Sequence, residues 1–137
     1  MQSAGRSIDI NCRLKILISA PACNPYEGSE PGVGWGFVSS LSKRHDLWVI
    51  VAKRSQRDIE RYISEHPDFP KTVHFIYLDF QFNHFLRKIW PPSYYWYYRY
   101  WHKKAYVLAT KLHHEVGFDI AHQLTMVGFR EPGYLWK

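Results

Sequence analysis

Residues 47–52 (LWVIVA) place the strongest limit on what this chain can fold into. All six residues are apolar, so the run shows no alternation between a buried and an exposed face. Such a run is typical of a β-strand covered on both faces, and strands of this kind belong to parallel sheets with helices on each side. Because no apolar run approaches the roughly 18 to 20 residues that cross a bilayer, we expect no membrane-spanning helix.

The rest of the chain alternates between strand patterns and helix patterns. Runs of aliphatic and β-branched residues predict strands, whereas apolar residues at intervals of three and four predict helices. The predicted strands are residues 14–20, 47–52, 72–78 and 118–121. The first predicted helix covers residues 31–44, and the second begins after its cap at Ser55 and ends at Pro67. The third is a long helix within residues 83–116 that starts near the prolines at 91 and 92, and the fourth covers residues 131–137.

This order predicts an α/β fold. With right-handed crossovers it gives a parallel sheet with helices on both faces, and we expect this sheet to be Rossmann-like with strand order 3-2-1-4. Ligands of such sheets bind at the carboxyl ends of the strands where the winding direction reverses, here between the first and fourth strands. Segments 21–36 and 122–130 should therefore meet at the candidate site.

The size and composition of the chain fit one folded domain. With 137 residues, of which 46% are hydrophobic and 22% charged, the chain lacks the signature of disorder. We expect residues 1–13 to form a flexible tail and residues 14–137 to form the domain. The N-terminus has no apolar h-region and no small-residue cleavage site, which favours a cytoplasmic location.

Four glycines, at positions 28, 32, 34 and 36, lie in the turn and the first helical residues after the first strand. Glycine inside a helix is less favourable than alanine by about 0.8–1 kcal/mol, so an offsetting role is expected. Backbone N–H groups at a helix N-terminus can approach a phosphate or a sugar. Alternatively, the glycines allow the helix to pack closely on the strand. The pattern matches neither the dinucleotide fingerprint nor the P-loop.

Two ionisable residues lie where a ligand of the sheet would bind. Glu30, at the start of the predicted helix, would repel a phosphate placed directly against it, which points to a neutral hydroxyl ligand or to an ordinary helix-start carboxylate. His122 ends the fourth strand at the switch point, as a functional residue or as a satisfied core histidine.

Cys12 and Cys23 flank the first strand, too far apart for a disulfide, and no Cys/His spacing suggests zinc.

Five segments together carry a resemblance to a known family. They are residues 15–20 (KILISA), 28–35 (GSEPGVGW), 43–49 (KRHDLWV), 118–122 (FDIAH) and 128–136 (GFREPGYLW). The chain resembles the N-terminal domain of retaining GT-B glycosyltransferases of the large family four. The resemblance implies two Rossmann-like domains facing a cleft, the amino-terminal one holding mostly the acceptor and the carboxyl-terminal one the sugar nucleotide.

The resemblance also implies roles for particular residues. Gly32 and Gly34 match the glycine-rich loop whose backbone approaches the donor phosphates, and His122 matches a histidine near the transferred sugar and is the catalytic candidate. Glu30 and Arg130 are expected near the acceptor-side cleft.

The expected reaction moves a sugar from a nucleotide-sugar donor to a hydroxyl acceptor, either a saccharide or a lipid-linked molecule. We expect the nucleotide sugar as co-substrate, no tightly bound cofactor and no metal. The sequence stops at Lys137, before the remainder of this half of the GT-B fold. We therefore expect a truncated domain that binds the donor weakly and is inactive alone.

A cluster of aromatic and basic residues lies between residues 90 and 104. Tyr95, Trp96 and Tyr100 fall off the predicted core stripe of the long helix, and cations lie beside them. Amphipathic rings with cations suit an anionic membrane surface, with Trp96, Arg99, Tyr100 and Lys103 as the candidate residues. Alternatively, these rings pack on another part of the protein.

The net charge of +6 attracts phosphates, but it does not indicate whether they belong to nucleic acid, lipid or nucleotide. Two other functions stay open on this sequence: a non-catalytic Rossmann-like binding module, and a basic, aromatic membrane-surface protein at the inner face of the membrane. Nucleic acid is not expected as a partner, because the cations line no single evident face.

Overall fold

The computed structural model describes residues 12–79 and 91–125 as an alternation of strands and helices. In chain order these are β1 (Lys15–Ser19), α1 (Ser29–Ser42), β2 (Asp46–Ala52), α2 (Gln56–Glu65, after a 3₁₀ turn at Lys53–Ser55), β3 (Val73–Leu78), α3 (Pro91–Val116) and β4 (Ile120–Gln123). The predicted helix at residues 131–137 lies outside the described residues, as does most of the predicted tail.

The four strands form one parallel sheet in the order β3-β2-β1-β4. The central strand β1 pairs with β2 from Lys15 opposite Asp46 onward, and with β4 from Ile16 opposite Ile120 onward. The predicted strand order is confirmed. The switch point therefore lies between β1 and β4, at their carboxyl ends.

Helices cover both faces of this sheet. Alternate residues of a strand face opposite sides, so Ile16 and Ile18 belong to one core cluster and Leu17 to another. The first cluster includes Trp35 and Val38 of α1 together with α2, and the second includes the buried side of α3. The two-sided burial predicted from residues 47–52 is confirmed, because β2 contributes to both clusters.

Two element boundaries differ from the predictions because of tertiary contacts. α1 begins at Ser29 rather than Pro31, which is tolerated in the first turn because its missing N–H has no acceptor within the helix. β4 covers Ile120–Gln123 rather than residues 118–121. The ring of Phe118 packs edge-on against Trp48, with ring centroids 5.3 Å apart, and Asp119 accepts a hydrogen bond from the Lys15 N–H at 2.8 Å.

The predicted long helix is confirmed as α3, whose buried face includes Tyr98, Trp101 and Ala105. It ends where expected, at Gly117, which has φ +70° and donates its N–H to the His113 carbonyl at 2.9 Å. Within residues 12–79 and 91–125, no helix combines the length and apolarity needed to cross a membrane.

The regularly spaced apolar residues of α1 are only partly buried. Val38 is buried and Leu41 is half-buried, whereas Val33 and Phe37 are exposed and Trp35 takes their place in the core. Trp35 stacks on Phe69 and Phe75, with ring centroids 5.5 and 5.9 Å apart. Two large apolar side chains of α1 therefore stay at the surface.

The two faces of α3 predict opposite effects for two tryptophans. Trp101 is fully buried and Trp96 is 65% exposed. We expect Trp101→Ala to lower the free energy of unfolding by about 3–5 kcal/mol, because it empties part of the core. Trp96→Ala should change it by less than about 0.5 kcal/mol. Urea denaturation followed by circular dichroism measures both, and equal losses in the two variants would contradict the assigned orientation of α3.

Candidate functional site

The two predicted site segments meet at the carboxyl ends of β1 and β4. The hydroxyl Oγ1 of Thr125, just after β4, accepts a hydrogen bond from the Ala22 N–H at 3.1 Å. The Leu124 N–H donates to the Ser19 carbonyl at 2.9 Å. An ideal Cβ on Gly34 of α1 would lie 3.3 Å from the Thr125 methyl group. The β1 loop, the start of α1 and the end of β4 thus form one contiguous site.

The first turn of α1 follows the β1 loop and carries N–H groups that precede the hydrogen-bond ladder of the helix. Gly28 is the N-cap residue, with an extended backbone, and Ser29 has φ +56°, a left-handed conformation that costs a non-glycine residue about 1–2 kcal/mol. With the helix beginning at Ser29, the amides of Gly28 and Ser29 precede the intrahelical ladder, whereas that of Gly34 lies within it. These outer amides and the helix dipole favour an anion.

The glycines of α1 fall into two groups by what a side chain would meet. A Cβ on Gly32 would lie 2.6 Å from the Glu27 carbonyl oxygen, and one on Gly34 would lie 2.4 Å from the Ala22 carbonyl oxygen. Gly28 and Gly36 have no atom within 4 Å of such a Cβ. Close packing accounts for glycine at positions 32 and 34, and the phosphate contact of their backbone stays a prediction.

His122 lies on β4 opposite Ile18, whose side chain faces α1. Its exposed ring stacks on Phe37, with centroids 5.4 Å apart and ring planes 12° apart. The stack holds the imidazole beside α1, about one turn beyond Gly34. The exposed Phe37 ring is a neighbour of His122 that sequence analysis did not identify.

The other two predicted cleft residues are placed differently. Glu30 is exposed in the first turn of α1, where its charge favours the helix dipole. Arg130 lies outside the described residues. The predicted position of these two side chains near the acceptor-side cleft stays a prediction.

A side-chain latch that sequence analysis did not identify fixes the loop after β1. The buried Asn24 amide donates to Glu27 Oε1 at 3.0 Å and to Asp58 Oδ2 of α2 at 2.8 Å, and its Oδ1 accepts from the Tyr26 N–H at 2.9 Å. The Asn24 N–H donates to the Pro31 carbonyl at 3.1 Å. The turn-forming sequence around Asn24 was the only local signal for this latch.

A second contact ties the same loop to the end of α2. The Tyr26 hydroxyl donates to Glu65 Oε2 at 2.5 Å, and Arg61 Nε donates to Glu65 Oε1 at 2.9 Å. The hydrogen bond between Tyr26 and Glu65 raises the pKa of the tyrosine and lowers that of the carboxyl. Together with Asn24, this contact holds the β1 loop against α2 and the start of α1.

Two buried polar atoms lie at the same ends of the strands, on the face covered by α3. Ser19 is opposite Gln123 in the β1–β4 register. Among the described residues, neither Ser19 Oγ nor Gln123 Oε1 has a hydrogen-bond partner, although Gln123 Nε2 donates to the Thr125 carbonyl at 2.8 Å. Buried acceptors without partners are rare, and both atoms suit a hydroxyl or amide donor.

The described ranges contain no group of three or more His, Cys, Asp and Glu residues that could hold a metal ion. The groups at the site are backbone amides, the His122 imidazole, the Glu30 carboxylate and neutral side-chain oxygen atoms. Such groups suit hydroxyl and phosphate ligands.

The fold is a Rossmann-like parallel α/β domain, and the candidate site lies at the switch point of its sheet. The chain matches no protein-family model, and comparisons with curated proteins and with solved structures found no match.

The glycine contacts predict opposite effects for two alanine substitutions on the same helix. Gly34→Ala should lower the free energy of unfolding by about 2 kcal/mol, because the new Cβ would overlap the Ala22 carbonyl oxygen. Gly36→Ala should raise it by about 1 kcal/mol, because alanine is the better helix former and no atom lies in the way. Urea denaturation of both variants tests this, and a neutral Gly34→Ala would contradict the close packing of α1 on the loop.

The two cysteines are both free thiols, as predicted, and differ in environment. Burial raises the pKa of Cys23, in the site loop, to about 12, whereas Cys12 is exposed. We expect a thiol-specific disulfide reagent at mildly alkaline pH to modify one thiol in the native protein and two in urea. Cys12→Ser is the control and should leave no reactive thiol in the native protein. Rapid native modification of Cys23 would mean that the loop opens.

Proposed function

We propose that this chain is the acceptor-side half of a retaining glycosyltransferase, which moves a sugar from a nucleotide-sugar donor to a hydroxyl acceptor. One observation carries the proposal: the start of α1 and the end of β4 lie together at the switch point of a sheet ordered β3-β2-β1-β4. The family resemblance of the residues at these two positions supports the same assignment.

In this proposal the start of α1 stabilises the phosphates of the donor. The amides of Gly28 and Ser29 and the positive end of the helix dipole would bind the negative charge that develops on the leaving diphosphate. Gly32 and Gly34 would keep this turn close to the loop and free of side chains. Glu30 would accept a hydrogen bond from a sugar hydroxyl.

His122 is the proposed catalytic residue, acting near the transferred sugar. It contacts Phe37 through the face of its ring, so the nitrogens on the ring edge remain able to hydrogen-bond. Arg130 completes the proposed acceptor-side set.

The proposed partners follow from this division of roles. The nucleotide sugar would bind weakly, because the second domain of a GT-B enzyme holds most of it, and the acceptor would be a saccharide or a lipid-linked hydroxyl. We place the protein in the cytoplasm, at the inner face of the membrane, with neither a tightly bound cofactor nor nucleic acid.

A non-catalytic Rossmann-like binding module is the second candidate, and the glycine contacts favour it. Packing against the Glu27 and Ala22 carbonyl oxygens explains Gly32 and Gly34 without any ligand. The two candidates make different predictions for a ligand that carries both a diphosphate and a sugar. The glycosyltransferase should bind it through His122 and the first turn of α1 together, whereas the binding module should not.

Nuclear magnetic resonance titration of the ¹⁵N-labelled chain with a nucleoside diphosphate sugar tests the proposal. We expect a dissociation constant of about 1 mM or weaker, corresponding to about 4 kcal/mol of binding free energy. The shifted amides should cluster at residues 28–34 and at His122. His122→Ala should remove the shifts at the end of β4, whereas His114→Ala, an exposed histidine on α3, should leave them unchanged.

Two results would contradict the proposal. Tight donor binding by calorimetry would show that the nucleotide site lies within this chain. Shifts that avoid residues 28–34, or that are the same in wild type and His122→Ala, would favour the binding module.

A further inference from the structure

α3 carries an exposed apolar stripe in addition to its buried face. Trp96, Tyr100 and Val107 are 65%, 46% and 64% exposed. Their spacing of four and seven residues places them on one side of the helix, and the stripe extends about 16 Å along it. Apolar groups in such a row are unusual on a surface that faces only water.

Positive charge accompanies this stripe. Lys103, Lys104 and Lys111 lie on the same side of α3, and the Lys104 ammonium sits 5.3 Å from the centre of the Tyr100 ring. The sequence has no Asp or Glu between residues 91 and 114 to offset them. This side of the helix is both apolar and cationic.

An apolar groove connects the stripe to the edge of the sheet. It encloses about 430 Å³ between α3 and the end of β3. Leu78, Val107 and Leu108 contribute aliphatic surface, and the three lysines line it as well. Lysine stems can extend along apolar surface while their ammonium groups reach a polar partner.

We propose that this face of α3, with the groove beside β3, binds the surface of an anionic phospholipid bilayer. The rings of Trp96 and Tyr100 would lie at the level of the headgroups, and Val107 would enter the region just below them. The three lysines would contact lipid phosphates. Charge complementarity favours this occupant, since a second copy of the chain in symmetric contact would place lysines against lysines.

The proposal extends the hypothesis drawn from the sequence and is independent of the proposed sugar transfer. The four residues named from the sequence, Trp96, Arg99, Tyr100 and Lys103, are all exposed. The tertiary structure adds Lys104, Lys111, Val107 and the β3 edge. It also separates the exposed rings from Tyr97, Tyr98 and Trp101, which are buried against the sheet.

Flotation of the full 137-residue chain with lipid vesicles tests the proposal. One vesicle preparation is phosphatidylcholine alone, and the other contains phosphatidylglycerol as well. We expect binding to the anionic vesicles only, and weaker binding as salt is raised. Lys103→Gln/Lys104→Gln should bind about 30-fold more weakly, from about fivefold for each lysine near the surface. Trp96→Gln/Val107→Gln should bind more weakly at every salt concentration.

The matched control is Arg57→Gln/Lys71→Gln, which removes the same charge from exposed positions on α2 and before β3. It should bind anionic vesicles within about twofold of the wild type, because these cations lie away from the proposed face. Thermal melts of all variants confirm folding, and Lys111→Gln provides a separate single substitution if the double variant at 103 and 104 melts early.

Four results would overturn the proposal. They are no binding of the wild type to anionic vesicles, an equal loss in the control, binding of a single-stranded oligonucleotide as tight as that of the vesicles, and a concentration-dependent dimer that Trp96→Gln/Val107→Gln abolishes. The last two would assign the face to nucleic acid and to a second copy of the chain.

Discussion

The burial of β1 on all sides is the constraint on which the rest of the structure depends. β1 pairs with β2 on one edge and β4 on the other, while Ile18 packs beneath α1 and Leu17 beneath α3. From Ile16 onward this strand has no solvent-facing side, which explains the apolar side chains of Ile16, Leu17 and Ile18. The direction in which the chain leaves β1 is fixed as well. The loop after Ser19 must leave at the carboxyl edge, beside the end of β4, and this is where the candidate site forms.

Packing and the proposed ligand binding use the same residues at that edge. The start of α1 lies close enough to the Ala22 carbonyl that a side chain at position 34 has no room. This closeness also brings α1 to the end of β4, since a Cβ on Gly34 would lie 3.3 Å from the Thr125 methyl group. The latch formed by Asn24, Glu27 and Asp58 fixes the conformation of the loop after β1, and this loop in turn keeps the first turn of α1 in place. Stability and the proposed phosphate contact therefore depend on one arrangement, which is why the glycine substitutions and the ligand titration must be interpreted together.

α3 divides its aromatic residues between two environments. Trp101 and Tyr98 bury large areas against the sheet, and this burial holds the helix in place. Trp96 and Tyr100 face outward and add nothing to that core. A helix anchored on one side and apolar and cationic on the other can present a fixed surface to a bilayer, because membrane contact would not require the core to open.

The sequence by itself determined the order of the elements, the strand order of the sheet, the end of α3 at Gly117 and the outward rings of Trp96 and Tyr100. These features follow from local apolar periods, from glycine's tolerance of positive φ and from the handedness of crossovers. Only the tertiary structure decided the start of α1 at Ser29, the stack of His122 on Phe37, the contacts of Asn24 and the exposure of Val33. The stack of His122 on Phe37 and the hydrogen bond from Asn24 to Asp58 join segments far apart in the chain. The same is true of the contact between Ala22 and Thr125, which depends on the register between β1 and β4. No local pattern encodes that register, because it results from packing two helices and a neighbouring strand against β1 at once.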